Sequence, residues 1–139
     1  MIQALQIVRP FAASAERVFD AWLDPERASL WLFTAPGRQS HSMENDPRVG
    51  GKWTISDRRD GVDYLALGEY LEIDRPRRLV FTFGMPQFSP DFNRVIVEIA
   101  PDGDGCLMTL THEGVPPAHH PATRDGWMEM FVQLDGVVG

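Results

Sequence analysis

The sequence predicts an α+β fold in which an antiparallel sheet curls around one long C-terminal helix, and three observations predict it. From Pro121 to Val138, the residues Trp127, Phe131, Leu134 and Val138 recur at spacings of four, three and four, one side of an α-helix, with Met130 and Val137 widening the stripe. Most of the chain before it alternates with the two-residue period of strands. The elements also come as a run of strands followed by a helix, the order of an α+β chain with an antiparallel sheet and not of a parallel βαβ chain. A helix this apolar on one side must cover a sheet face, and a sheet of about seven strands twists and curls. One helix does not fill the whole concave face, so an interior cleft is expected near the helix's N-terminal half.

Each element has its own signal. Ile2 to Arg9 alternates loosely and is closed by Pro10, a first strand. Ser14 reads as an N-cap and Glu16 suits the first turn of a helix running to about Trp22. Asp24-Pro25-Glu26 supplies a cap, a proline at the first helical position and an acid behind it, so a second short helix is expected from Pro25 to about Phe33. Joined by a single residue, the two helices must form a bent pair. Pro36-Gly37 marks a turn, His41 to Asn45 a short strand and Gly50-Gly51 a tight turn. Trp53 and Ile55 alternate with polar residues up to the charged turn from Asp57 to Gly61. Tyr64 to Ile73 is the longest strand, apolar on both sides except at Glu69 and Glu72, which suggests a central position. Leu79 to Phe83, Val95 to Ile99 and Cys106 to His112 then follow as a meander, the last two separated by the turn Pro101 to Gly105.

Composition narrows the function classes. The chain has 139 residues, 43% of them hydrophobic and 24% charged, so a single domain over 1–139 with a real core is expected. Thirteen basic residues against twenty acidic ones leave a net charge of −7, which argues against a phosphate-neutralising surface and against nucleic acid as partner. One cysteine, Cys106, excludes an intramolecular disulfide and fits a reduced, cytoplasmic setting. Met1 to Gln6 lacks the basic start and apolar run of a secretion signal, and no segment approaches the ~20 apolar residues that span a bilayer.

The stretch Arg17-Val18-Phe19-Asp20-Ala21-Trp22-Leu23-Asp24-Pro25-Glu26-Arg27, with Trp31 beyond, resembles the opening fingerprint of the activator-of-heat-shock-protein-90-ATPase-like branch of the START-like, or SRPBCC, superfamily. Further pieces agree in order: Gly50-Gly51-Lys52-Trp53, the run from Gly68 to Thr82, Thr109 to Gly114, and Gly126-Trp127. The resemblance implies a helix-grip fold, a curved antiparallel sheet wrapped around the C-terminal helix and enclosing a cavity for apolar ligands. Members of the superfamily include lipid and hormone carriers, polyketide cyclases and a co-chaperone domain, so fold alone does not decide function.

Candidate site residues follow from the expected cleft. Trp31, Trp53, Tyr70, Phe81, Phe83, Trp127, Met130 and Phe131 either line a ligand pocket or pack the core. His112 ends the alternating series Met108, Leu110, His112, so its ring should face the buried side, as a ligand anchor, a proton-transfer group or a hydrogen-bonded structural histidine. Glu69 falls between Leu67 and Leu71, where a carboxylate must find a partner such as Arg78 or Arg94, or else act in proton transfer with His112. His112, His119, His120 and Glu113 match no zinc-binding spacing, and no glycine loop for phosphates is present, so neither metal nor cofactor is expected. Three functions remain: binding of a small apolar or amphipathic ligand by a monomer or homodimer, a cyclase- or hydrolase-type reaction in the same pocket, or a co-chaperone-like interaction module.

Overall fold

The computed structural model describes residues 4–33 and 40–139. Its elements are β1 (Ala4–Phe11), α1 (Ala15–Leu23), α2 (Pro25–Ala28), β2 (Ser40–Asn45), β3 (Lys52–Arg59), β4 (Val62–Asp74), β5 (Arg78–Phe83), β6 (Asn93–Asp102), β7 (Gly105–Glu113), one 3₁₀ turn (Pro117–His119) and α3 (His120–Val138). The strands form one seven-stranded antiparallel sheet in the order β1-β7-β6-β5-β4-β3-β2, so β2 to β7 are a continuous meander and β1 is added beside β7. This curved sheet with α3 laid in it is the α+β helix-grip architecture. The turn expected at Pro36-Gly37 falls outside the described residues.

Local chemistry explains the connections. Asp24 serves both short helices: its backbone N–H donates to Asp20 O at the end of α1, and its side chain accepts from Glu26 N at 3.0 Å to cap α2. The helix expected to reach about Phe33 ends at Ala28. Ser29 Oγ donates to Glu26 O, and the next amides bond three residues back, Leu30 to Arg27 and Trp31 to Ala28, which tightens the chain out of the α-helix. As a result Trp31 and Leu32 are buried while Leu30 is exposed. Asp60 and Gly61, with φ of 52° and 78°, make the two-residue loop between β3 and β4, the positive-φ pair whose twist suits a hairpin. Asp20 then binds Arg75 through two hydrogen bonds of 2.7 and 2.9 Å, tying α1 to the end of β4. The guanidinium holds the Asp20 carboxyl below its usual range.

The core lies between the concave face and the helices. Leu5, Ile7, Leu79, Phe81, Val95, Val97, Met108 and Leu110 point inward, and α3 meets them with Trp127, Phe131, Leu134 and Val138, the four residues of its sequence stripe. Trp22 from α1 packs edge-on against Trp31 at 4.6 Å and lies 6.0 Å from Trp127. Among the described residues no helix is long and apolar enough to cross a membrane.

Phe131 is completely buried, whereas Val132, its neighbour on α3, is 63% exposed. Phe131→Ala is therefore expected to lower stability by about 3–5 kcal/mol and Val132→Ala by less than about 1 kcal/mol in urea unfolding. Equal losses would mean that α3 does not dock by this stripe.

Candidate functional site

The site is built where the N-terminal half of α3 crosses the ends of β5, β6 and β7. Trp127 is buried there, and its Nε1–H donates to His112 Nδ1 on β7 at 3.1 Å. An indole nitrogen can only donate, so Nδ1 must be the unprotonated nitrogen and the ring proton sits on Nε2. Nε2–H then donates to Asn93 Oδ1 on β6, also at 3.1 Å. Both ring nitrogens of His112 are thus engaged. Burial, with a smaller contribution from the nearby His120 ring, pulls the His112 pKa from 6.5 to about 4, so the ring is neutral at pH 7. His120 itself donates from Nε2 to Val115 O at 2.8 Å.

Beside this chain of hydrogen bonds lies a cleft of about 540 Å³, walled by Phe33, Phe83, Val115, Trp127 and Met130, with Asn93, His112, His119 and Thr123 as its polar groups. The grip is filled deeper in. Between Trp22, Leu32, Met43, Tyr70 and Phe81 only about 10 Å³ remains, room for about one water. Tyr70 belongs to that depth: its hydroxyl accepts from Asn45 Nδ2 at 3.0 Å, and burial pushes its pKa up to about 12.

The boundary between packed depth and hollow mouth is aromatic. Phe33 stacks on Phe83 at 4.6 Å and on Trp53 at 5.6 Å, and its ring is 5.5 Å from Trp127. Its backbone has φ 53°, a strained conformation for a bulky side chain, and its N–H points at Met130 Sδ, 3.0 Å away. Behind it, Trp53 Nε1 donates to Thr82 O across Gly68 at 3.2 Å. A Cβ on Gly68 would fall 1.7 Å from that carbonyl oxygen, so only glycine lets β4 and the end of β5 come this close.

Of the residues singled out from sequence, Phe83, His112, Trp127 and Met130 line the cleft, while Trp31, Tyr70, Phe81 and Phe131 sit in the packed core and Trp53 backs the aromatic wall. Glu69 is not with them. Along β4 the buried residues are Ala66, Gly68 and Tyr70, so Leu67, Glu69 and Leu71 face outward, and Glu69 pairs with Lys52 at 3.7 Å. Arg78 instead binds Glu72 and Glu98, and Arg94 binds Glu113. His112 and Glu69 therefore occupy opposite faces of the sheet. Cys106 is buried and unpaired by any disulfide, its thiol pKa raised chiefly by burial. Among the described residues no three His, Cys, Asp or Glu side chains converge to hold a metal ion.

Sequence reasoning missed Asn93, Phe33 and Gly126. Asn93 left a signal, since it occupies the inward phase of β6 with Val95 and Val97, where a polar residue stands out. Phe33 left none, because its position depends on a positive φ that no residue pattern announces. Gly126 entered only through the pair Gly126-Trp127 of the family resemblance, with no signal that it lines a cleft.

A sheet gripping a helix, hollow at the mouth and closed at depth, is the form of a START-like domain. The model of the family described as activator of Hsp90 ATPase homolog 1-like protein matches residues 12–139, and the chain belongs to that family, known for ligand binding and co-chaperone roles. No curated protein matches in sequence. Among solved structures, protein CV1439 from Chromobacterium violaceum is similar at 25% identity and TM-score 0.83, over 97% of this chain and 96% of that one. SA2116 from Staphylococcus aureus, a protein of unknown function, has 22% identity and TM-score 0.84 over 99% of this chain and 94% of its own. NE0264 from Nitrosomonas europaea has 20% identity and TM-score 0.82 over 97% and 93%. The last two likenesses show the fold alone.

The neutral His112 makes stability pH-dependent with a definite sign. Between pH 6.5 and about 4 the unfolded chain binds a proton that the folded chain does not, so this contribution, about 3 kcal/mol, is complete above pH 6.5 and is lost as pH falls through about 4. NMR titration should show the His112 ring uncharged at pH 5.5, and His112→Asn should flatten the stability profile in this window. A His112 midpoint near 6.5 would contradict the burial of the ring.

Proposed function

We propose that this protein binds a small apolar or amphipathic ligand in the cleft between the concave sheet and the N-terminal half of α3. One observation carries the reading: the grip is filled to about 10 Å³ at depth yet leaves about 540 Å³ at its mouth, within the ~300–1,000 Å³ range of small-molecule sites. Its walls are aromatic rings and thioether, with a few polar groups able to orient a guest. The family's known ligand-binding role supports the same reading. The arrangement favours holding a guest over transferring a proton, because both His112 nitrogens are committed to Trp127 and Asn93 and Glu69 stands on the outer face with Lys52.

Gly126 lines the cleft, and a Cβ there would meet nothing within 4 Å. Gly126→Leu should therefore project from a Cβ with open space around it into the cleft, and strengthen the helix by about 1 kcal/mol. With the neutral probe N-phenyl-1-naphthylamine, the wild-type protein should show probe fluorescence enhancement and a raised melting temperature. The variant should stay folded and bind at least about ten-fold more weakly, a loss of about 1.4 kcal/mol. Unchanged binding by the variant, or none by the wild type, would overturn the reading.

A further inference from the structure

The hydrogen-bond chain behind the cleft runs in one direction. Trp127 Nε1–H can only donate, which makes His112 Nδ1 an acceptor and Nε2 a donor, which in turn requires Asn93 to present its oxygen to the ring. The Asn93 amide orientation is therefore fixed by the chemistry of its neighbours, and its NH₂ group faces away from His112. Among the described residues that NH₂ donates to no protein acceptor. It lies against Gly114, where an added Cβ would be 2.6 Å from Nδ2, and Gly114 lines a second hollow of about 320 Å³ that shares Phe83, Phe88, Asn93 and Pro116 with the main cleft. The two hollows thus meet at an unclaimed pair of N–H donors.

The charges around them are as informative. No Lys, Arg, Asp or Glu is among the described residues lining the main cleft, and the one charged group of the adjoining hollow is Asp91. Arg94, next in sequence to Asn93, is taken by Glu113 at 2.8 Å. Among the described residues an anionic guest would meet no Lys or Arg there, and Asp91 would repel it.

We infer that Asn93 orients the ligand, and that the ligand is an uncharged, largely aromatic molecule offering a hydrogen-bond acceptor such as a ketone or ether oxygen to the Asn93 NH₂. This rests on the ligand-binding reading above and adds to it the chemical class of the guest and the residue that selects it. Polarisation along the chain from Trp127 through His112 strengthens the terminal donor. His119 and Thr123 stand at the start of α3 and at the rim.

Three naphthalenes test the inference by titration calorimetry: 2-acetylnaphthalene carries an acceptor, 2-ethylnaphthalene has nearly the same shape without one, and 2-naphthoate carries a charge. The wild-type protein should bind the acetyl compound about five- to ten-fold more tightly than the ethyl compound, the difference made by one neutral hydrogen bond, and the naphthoate most weakly. Asn93→Asp keeps an oxygen for His112 Nε2–H and turns the donor into an acceptor. This variant should lose the preference for the acetyl compound over the ethyl one, whereas Asn93→Leu should remove the preference together with some stability. Equal wild-type binding of the acetyl and ethyl compounds, or a preference that survives in Asn93→Asp, would overturn the inference and leave the binding function standing. Binding of neither would overturn both.

Discussion

A helix laid along a concave apolar sheet could slide, because burial of apolar area is non-directional. The hydrogen bond from Trp127 Nε1 to His112 Nδ1 removes that freedom. It is made between buried groups, at 3.1 Å, and it joins the N-terminal half of α3 to the end of β7 at one register. Loss of either partner would strand a buried polar atom, at a cost of about 1–3 kcal/mol. Held there, the stripe from Trp127 to Val138 fills the depth of the grip, and the small side of the helix, with Gly126 and Thr123, is left facing the sheet's mouth.

The same bond sets the chemistry of the mouth. Because an indole cannot accept, the histidine is kept in one tautomer and uncharged, and Asn93 is turned to present nitrogen outward. The group that looks most catalytic in the sequence is thus a connector, and an asparagine at the start of β6 stands at the cleft's polar end. Ion pairs such as Arg78 with Glu72 and Glu98, Arg94 with Glu113, and Asp20 with Arg75 lie elsewhere, on the outer surface or at the sheet's end.

Much of this was legible in the residues. The four buried positions of α3 follow from a period near 3.6, the Asp24-Pro25 cap is a local signal, and His112 falls in phase with Met108 and Leu110 and is buried with them. What could not be read depends on contacts distant in sequence. β4 carries apolar residues on both faces, so its own pattern does not say which faces inward. The close approach of Thr82 over Gly68 belongs to the arrangement that turns Ala66 and Tyr70 inward and Glu69 outward. The early end of α2 and the positive φ of Phe33 are likewise set by where Trp31 and Phe33 must pack, overriding a helical run of apolar residues. The division of the aromatic residues into core and cleft wall follows from the position of α3, which no aromatic residue announces individually.

A guest held in the grip sits at its mouth, beside Trp127, and not in its packed depth. Amide chemical-shift mapping by NMR during titration with a neutral naphthalene probes this placement residue by residue. Shifts should concentrate at Asn93, His112, Val115, Gly126, Trp127 and Met130, with Ile55, Leu79 and Trp31 unmoved. Shifts centred on Lys52, Glu69 and Thr82 of the outer face, or spread through the packed depth, would contradict it.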